Sequence, residues 1–283
     1  MAMGPADNVP VSICPVPGGS VRAVWPGAGP SPPGATTRDA ATTTLVDRAW
    51  AEMCAANPRL HDGPIFAVTD ASAPESLVVA LGGYRDLAVQ GHRLADGDVV
   101  PVLGVRMLGI KAIITARGTD GQDHALILRR GPEVRMYPGM WEIGPAGAVD
   151  VPASANASPR PGEMAIDWNG LLATLCREAE EELGIDLAAM AEPAPGGGVG
   201  IARWVCDDRT ARSIDIIVQV RWRAAVDPKA GWCQLGREGW EYTDAAWLAR
   251  RDAASWASRA SQVSDISRVV LRTWAEDKSD DPE

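Results

Sequence analysis

The hydrophobic positions of this chain fall into two patterns. Short continuous apolar runs occur at 64–68, 77–81, 107–116, 124–128, 201–206 and 214–220. Runs of this length, rich in Val and Ile and bounded by polar or glycine-containing segments, predict buried strands. The runs at 107–116 and 124–128 flank Gly118-Thr119-Asp120-Gly121, which predicts a hairpin. Other segments repeat with helical spacing. Leu45, Ala49, Trp50, Met53 and Cys54 place one apolar face on a helix over 39–56, stopped by Asn57-Pro58. A second helix is expected over 168–183, where Gly184 stands at the left-handed cap position, and a third over 263–274. Strands interleaved with a few helices predict a mixed α/β architecture.

Polar and breaker residues divide the remainder. Residues 1–40 are loop-forming, with Pro15-Val16-Pro17-Gly18-Gly19 and Pro30-Ser31-Pro32-Pro33-Gly34, although 20–25 could form a short strand. A Pro, Ala and Ser-rich loop covers 151–162, and a Gly-rich one covers 196–198. The tail 276–283 is charged.

Composition narrows the partners. A hydrophobic fraction of 46% suits a globular chain with a real core, and 283 residues allow one large domain or two small ones. The net charge of -10 opposes bulk capture of nucleic acid or of an anionic membrane. It does not oppose a nucleotide substrate, because a divalent cation reverses the field that a phosphate feels. Of the 27 basic residues only Lys111, Lys229 and Lys278 are lysines, leaving 24 arginines. With alanine also abundant, this reads as a coding bias, so arginine richness is no phosphate-binding signal. Cys14, Cys54, Cys176, Cys206 and Cys233 are odd in number and widely spaced, which predicts reduced, mostly buried thiols. Residues 1–20 hold neither a basic leader nor an apolar run, and no stretch approaches the roughly 18 apolar residues of a membrane span. A cytoplasmic protein is expected, and nothing opposes a homodimer.

The chemistry concentrates in Arg177-Glu178-Ala179-Glu180-Glu181-Glu182-Leu183-Gly184-Ile185. On a helix Glu178 lies three residues before Glu181 and four before Glu182, so all three share one face. Crowded carboxylates repel one another, and a hard divalent cation such as Mg2+ or Mn2+ converts that repulsion into ligation. Negative charge near a helix C-terminus also opposes the macrodipole, so a structural purpose explains it poorly. Arg177, four residues before Glu181, can hold that side chain in place.

This segment resembles the second half of the Nudix box, Arg-Glu-U-x-Glu-Glu-x-Gly-U with U aliphatic or small. Gly139-Met140-Trp141-Glu142-Ile143-Gly144-Pro145-Ala146-Gly147 resembles the strand and loop that lead into it. The first half departs from the pattern: Asn169 and Glu163 stand where the box has a glutamate and a glycine. Gly147 then becomes the entry glycine, and 150–162 largely an insertion. The resemblance implies a Nudix-type α/β/α sandwich with a mixed sheet. It assigns 106–275 to that domain, 41–105 to an extension packed on it, and 1–40 to a loop-rich lead. It further implies a Mg2+-dependent diphosphatase whose metal is held by Glu178, Glu181, Glu182 and the Gly147 carbonyl, with Arg177 in the catalytic group. A later glutamate supplies the general base, and Glu238 and Glu241 are the candidates.

The segments 57–66 and 81–86, Asn57 to Phe66 and Leu81-Gly82-Gly83-Tyr84-Arg85-Asp86, resemble the UDP-sugar diphosphatase branch. That resemblance implies UDP-glucose or UDP-galactose as the small-molecule substrate, cleaved to UMP and sugar 1-phosphate. Phe66 and Tyr84 would sit near the uracil, Arg130 at the phosphates, and Glu142 and Asp150 toward the sugar phosphate. Another nucleotide or biosynthetic diphosphate, or a nucleotide-sensing module without turnover, are the alternatives.

Overall fold

A computed structural model describes residues 11–26, 38–152, 160, 162–230, 240–259 and 261–277. Twelve strands form one sheet. Its main path is β1 (Val11–Pro15), β10 (Ile201–Asp208), β11 (Ser213–Arg221), β5 (Met107–Arg117), β3 (Pro64–Asp70), β4 (Ser76–Gly83), β2 (Arg22–Val24) and β9 (Met164–Ile166). Off this path β6 (Asp123–Arg130) pairs with β5, with β7 (Trp141–Ile143) and with β12 (Tyr242–Ala249), while β8 (Ala146–Ala148) pairs with β5. β11 runs parallel to β5 and β2 parallel to β4, and the other pairs are antiparallel. The sheet is therefore mixed, as expected.

β5 is the pivot. It joins β6 only at its end, Thr115 opposite Ala125 to Arg117 opposite Asp123. Nearer its start β8 takes the place of β6, with Gly109 opposite Ala148 and Lys111 opposite Ala146. The predicted hairpin forms, but its strands splay apart beyond the first few pairs. Side chains of β5 alternate between two cores. Ile110, Ala112 and Ile114 meet Leu171, Leu175, Ala179 and Leu183 of α3 (Trp168–Leu183). Ile113 faces the other way, toward Ala253 of α5 (Arg250–Ala257) and Ile266, Val270 and Trp274 of α6 (Asp265–Glu276). Helices on both faces of a sheet buried between them make an α/β/α layering.

The extension is part of this sheet. α1 (Ala40–Ala56) starts where Asp39 accepts a hydrogen bond from the Thr42 N–H at 2.7 Å, and it packs with the short α2 (Tyr84–Val89) around Val46, Ala49 and Val89. Trp25, Phe66, Val68, Leu77 and Val79 of β2 to β4 and their flanks lie in the same core as α3. Residues 11–15, expected as loop, form β1 because their backbone groups complete the edge of β10, with Val11 opposite Asp208. α2 and α5 were also not anticipated. Each is short, and neither has a side-chain cap. The thiols differ from expectation too: among the described residues Cys206 alone is buried, Cys54 and Cys176 are half-buried, and Cys14 is exposed. Cys233 lies outside the described residues. Among the described residues no helix is long and apolar enough to cross a membrane.

Candidate active site

α3 carries the carboxylates, and local chemistry explains its limits. Asp167 accepts from the Gly170 N–H at 2.8 Å at its start, and Gly184 closes it with φ 66°, a conformation glycine adopts without strain. Glu178 and Glu182 border the apolar stripe Leu171, Leu175, Ala179 and Leu183 on the sheet-facing side of the helix, so packing of that stripe brings them against β8. Gly147 on β8 makes the approach close enough, because a Cβ there would overlap the Glu178 carboxylate.

Glu182 is only 6% exposed. One of its oxygens accepts from the Ala146 N–H at 3.1 Å, and the other, Oε1, is buried without a donor among the described residues. The Glu241 carboxyl stands within hydrogen-bonding range of the same side chain, and Glu178 is close by. Two acids that meet in this way share a proton or repel. Burial first, then Glu241 and Glu178, push the Glu182 carboxyl well above the usual carboxylate range. Burial likewise raises Glu178 to about 7; Arg177 opposes this, while Glu181 and Glu241 reinforce it.

Arg177 ties the outer part together. Its guanidinium donates to Glu178 Oε1 at 2.8 Å, to Glu181 Oε2 at 2.9 Å, and to both oxygens of Asp150 at 2.9 and 3.0 Å. Glu181 is half-exposed on the rim of this group, and Asp150 is open to solvent. Asn169 is exposed on the first turn of α3, nine residues before Glu178, roughly 13 Å along the helix axis.

The Gly147 carbonyl is turned elsewhere. Backbone bonds from Ala112 N–H to Pro145 O at 2.9 Å and from Val149 N–H to Leu108 O at 3.0 Å bracket the Ile110–Gly147 pair. An antiparallel ladder alternates with that period, so the Gly147 carbonyl faces β5 and not the carboxylates. Beside Glu178 the glycine's own part is steric, since any Cβ there would meet the carboxylate.

A cleft of about 1070 Å³ opens over this region, lined in part by Glu241, Asp150, Ala148 and Trp240 and, from the extension, by Arg59, His61 and Tyr84. The Arg135 guanidinium stands 5.8 Å from the Tyr84 ring. A smaller cavity of about 570 Å³ lies beside α3 between Asp150, Met164 and Arg177.

Two of the expected ligand-binding residues are not available to a ligand. Phe66 is fully buried, with its ring 5.7 Å from that of Trp25, because its position on β3 faces the α3 core. Glu142 is 1% exposed and receives Lys111 Nζ at 2.6 Å, Arg130 Nη1 at 2.5 Å and the Tyr242 hydroxyl at 2.9 Å. Arg130 also donates from Nε to the Met136 carbonyl at 2.9 Å, so its guanidinium is already committed. Burial alone would raise the Glu142 carboxyl, but Lys111 and Arg130 hold it down at about 2. Lys111 sits on β5 where β8 replaces β6, and no sequence pattern announces its pairing with Glu142 on β7. Glu238 lies outside the described residues.

Among the described residues no three acidic, thiol or imidazole groups form a ready-made metal cage. The donor chemistry nonetheless fits a hard divalent cation. Arg177 compensates Glu178 and Glu181, whereas Glu182 keeps a buried oxygen with no donor and faces a second carboxylate.

No family model matches this chain, and no curated protein does. Among solved structures it is similar to a Nudix hydrolase from Alicyclobacillus acidocaldarius, with 16% identity over 60% of this chain and 91% of that one and a TM-score of 0.44. It is similar to RenU, a Nudix hydrolase from M. smegmatis, with 12% identity over 68% and 95% of the two chains and a TM-score of 0.38. It is also similar to the Nudix domain of Shewanella oneidensis NrtR, solved in complex with ADP ribose, with 14% identity over 60% and 86% and a TM-score of 0.31.

Proposed function

We propose that this protein hydrolyses the diphosphate linkage of a nucleoside diphosphate derivative with the help of Mg2+ or Mn2+. The observation that carries the reading is Glu182, a buried carboxylate with a donor-free oxygen, facing Glu241 and Glu178 beside a large cleft. Such an arrangement is costly for folding alone, and a bound cation relieves it. Glu182 and Glu178 would hold the ion, with Glu181 at its rim and Glu241 left free beside it. When bound, it would neutralise the diphosphate oxygens and lower the pKa of the attacking water.

The remaining work belongs to the chain. Glu241 would accept the proton of the attacking water, a role supported by its place on the cleft beside Glu178 and Glu182. Arg177 fixes the orientation of Glu178 and Glu181. Tyr84 lines the cleft and would offer an aromatic ring to a planar base. UDP-glucose and UDP-galactose are the first substrates to try, on the resemblance of 57–66 and 81–86. Phe66 plays no part in this reading.

A panel of nucleoside diphosphate sugars and dinucleotides, incubated with Mg2+ and resolved by chromatography, tests the activity. The decisive variant is Glu182→Gln. It should lower kcat at least about a hundredfold, the loss of an electrostatic contribution of a few kcal/mol. Metal-free Glu182→Gln should melt no lower than wild type, because a neutral amide replaces a buried acid crowded by like charge. Undiminished activity in this variant, or no hydrolysis by wild type across the panel, would sink the assignment. If UDP-sugars are the substrates, Tyr84→Ala should narrow their advantage over ADP-sugars.

A further inference from the structure

The loop between α1 and β3 reaches across the cleft to the segment that carries Glu241. Arg59 is fixed at its base, where its N–H donates to Asn57 Oδ1 at 3.1 Å. Its guanidinium stands 5.0 Å from the centre of the Trp240 ring and donates to Glu133 Oε2 at 2.8 Å. Trp240 immediately precedes Glu241. From the other side the Gly131 N–H donates to the Glu241 carbonyl at 2.7 Å, and any Cβ on Gly131 would overlap the Trp240 carbonyl. Gly131 and Glu133 are two residues apart on one loop. The contacts therefore close a triangle: the 131–133 loop grips the backbone of 240–241 and also anchors the arginine that covers Trp240.

The geometry points to Arg59 as a positioning residue that acts through Trp240 to hold Glu241 against Glu182. This rests on the proposed function for its chemical meaning, but the mechanical claim stands on the contacts alone. An isolated exposed ion pair such as Arg59–Glu133 contributes little by itself. Its effect lies in restricting where the guanidinium sits, and a guanidinium over an indole face is the favourable arrangement for both groups. The extension thereby completes the candidate active site and is more than a covering layer.

The rival explanation is that Arg59, which lines the cleft, binds substrate directly. Two measurements separate them. Hydrogen exchange of the Gly131 amide reports the bond to Glu241 without any activity assay. In Arg59→Ala this amide should exchange at least about tenfold faster while amides in β5 are unchanged. Unchanged exchange at Gly131 overturns the proposal, whatever the protein hydrolyses. With a substrate in hand, Arg59→Ala should lower kcat about tenfold and leave KM within about twofold, since misplacement of a reacting group acts on turnover. In a Glu241→Gln background the same substitution should add less than about twofold. A rise in KM with kcat intact, or full additivity with Glu241→Gln, assigns Arg59 to substrate binding and refutes positioning. Absence of hydrolysis by wild type would count against the proposed function, and the exchange result would still decide this inference.

Discussion

At the scale of single residues, the charge around Glu142 gives the protein a defined response to acid. Lys111, Arg130 and Tyr242 converge on this buried carboxylate and keep it ionised, with a pKa of about 2 against an ordinary 4.5. The ionised form favours the folded state, so the full contribution is present above pH 4.5 and is lost as pH falls toward 2. A lowering of this size corresponds to something on the order of 3 kcal/mol. Asp215 works in the opposite sense. Burial raises its pKa to about 6 from 3.8 despite Lys111, so folding gains as pH falls through that interval. The Glu142 contribution is therefore read most cleanly below 3.8. Urea denaturation between pH 3.8 and 2.5 should show wild type losing stability steeply and Glu142→Gln, already destabilised at pH 7, losing much less. Parallel pH dependence in the two proteins would rule out Glu142 as the source.

At the scale of elements, α3 and β8 depend on each other. The helix is specified locally: its cap Asp167, its apolar stripe and its terminal Gly184 are all neighbours in sequence. For that reason its limits were legible without a structure. The role of Gly147 was not, because it arises only where a strand and a helix from distant segments come close. Gly147→Ala should displace the Glu178 side chain and lower activity at least about tenfold, with destabilisation of roughly 1–3 kcal/mol from overpacking. Enzyme kinetics beside a thermal melt checks both. An alanine variant with normal kcat and Tm would mean that the close approach has no functional weight.

At the scale of the whole molecule, the extension and the later part of the chain share one sheet and one core. Trp25, Phe66, Leu77 and Val79 lie against the same apolar mass as Ile110 and Leu175, and β1 closes the edge of β10. A fragment of residues 106–283 would expose that surface and an unpaired strand edge, a combination that favours aggregation. We expect the fragment to show no cooperative thermal transition in circular dichroism. A sharp melt near that of the intact protein would show the extension to be separable.

The sequence by itself determined what depends on near neighbours: the strand runs, the hairpin turn, the stop of α1 at Asn57-Pro58, the Gly184 cap of α3, and the grouping of Glu178, Glu181 and Glu182 on one helical face. Each follows from the local geometry of a helix or strand. Tertiary structure alone decided which of those groups meet. It put Glu241 beside Glu182 although 59 positions separate them. It buried Phe66 and Glu142, two residues of types suited to a ligand, because the face a β-strand residue presents depends on pairing register. It brought Arg59 over Trp240 and drew 11–15 into the sheet, since unpaired backbone at an edge accepts whatever segment the chain delivers there. Contacts of this kind depend on how distant elements pack, and no local pattern encodes them.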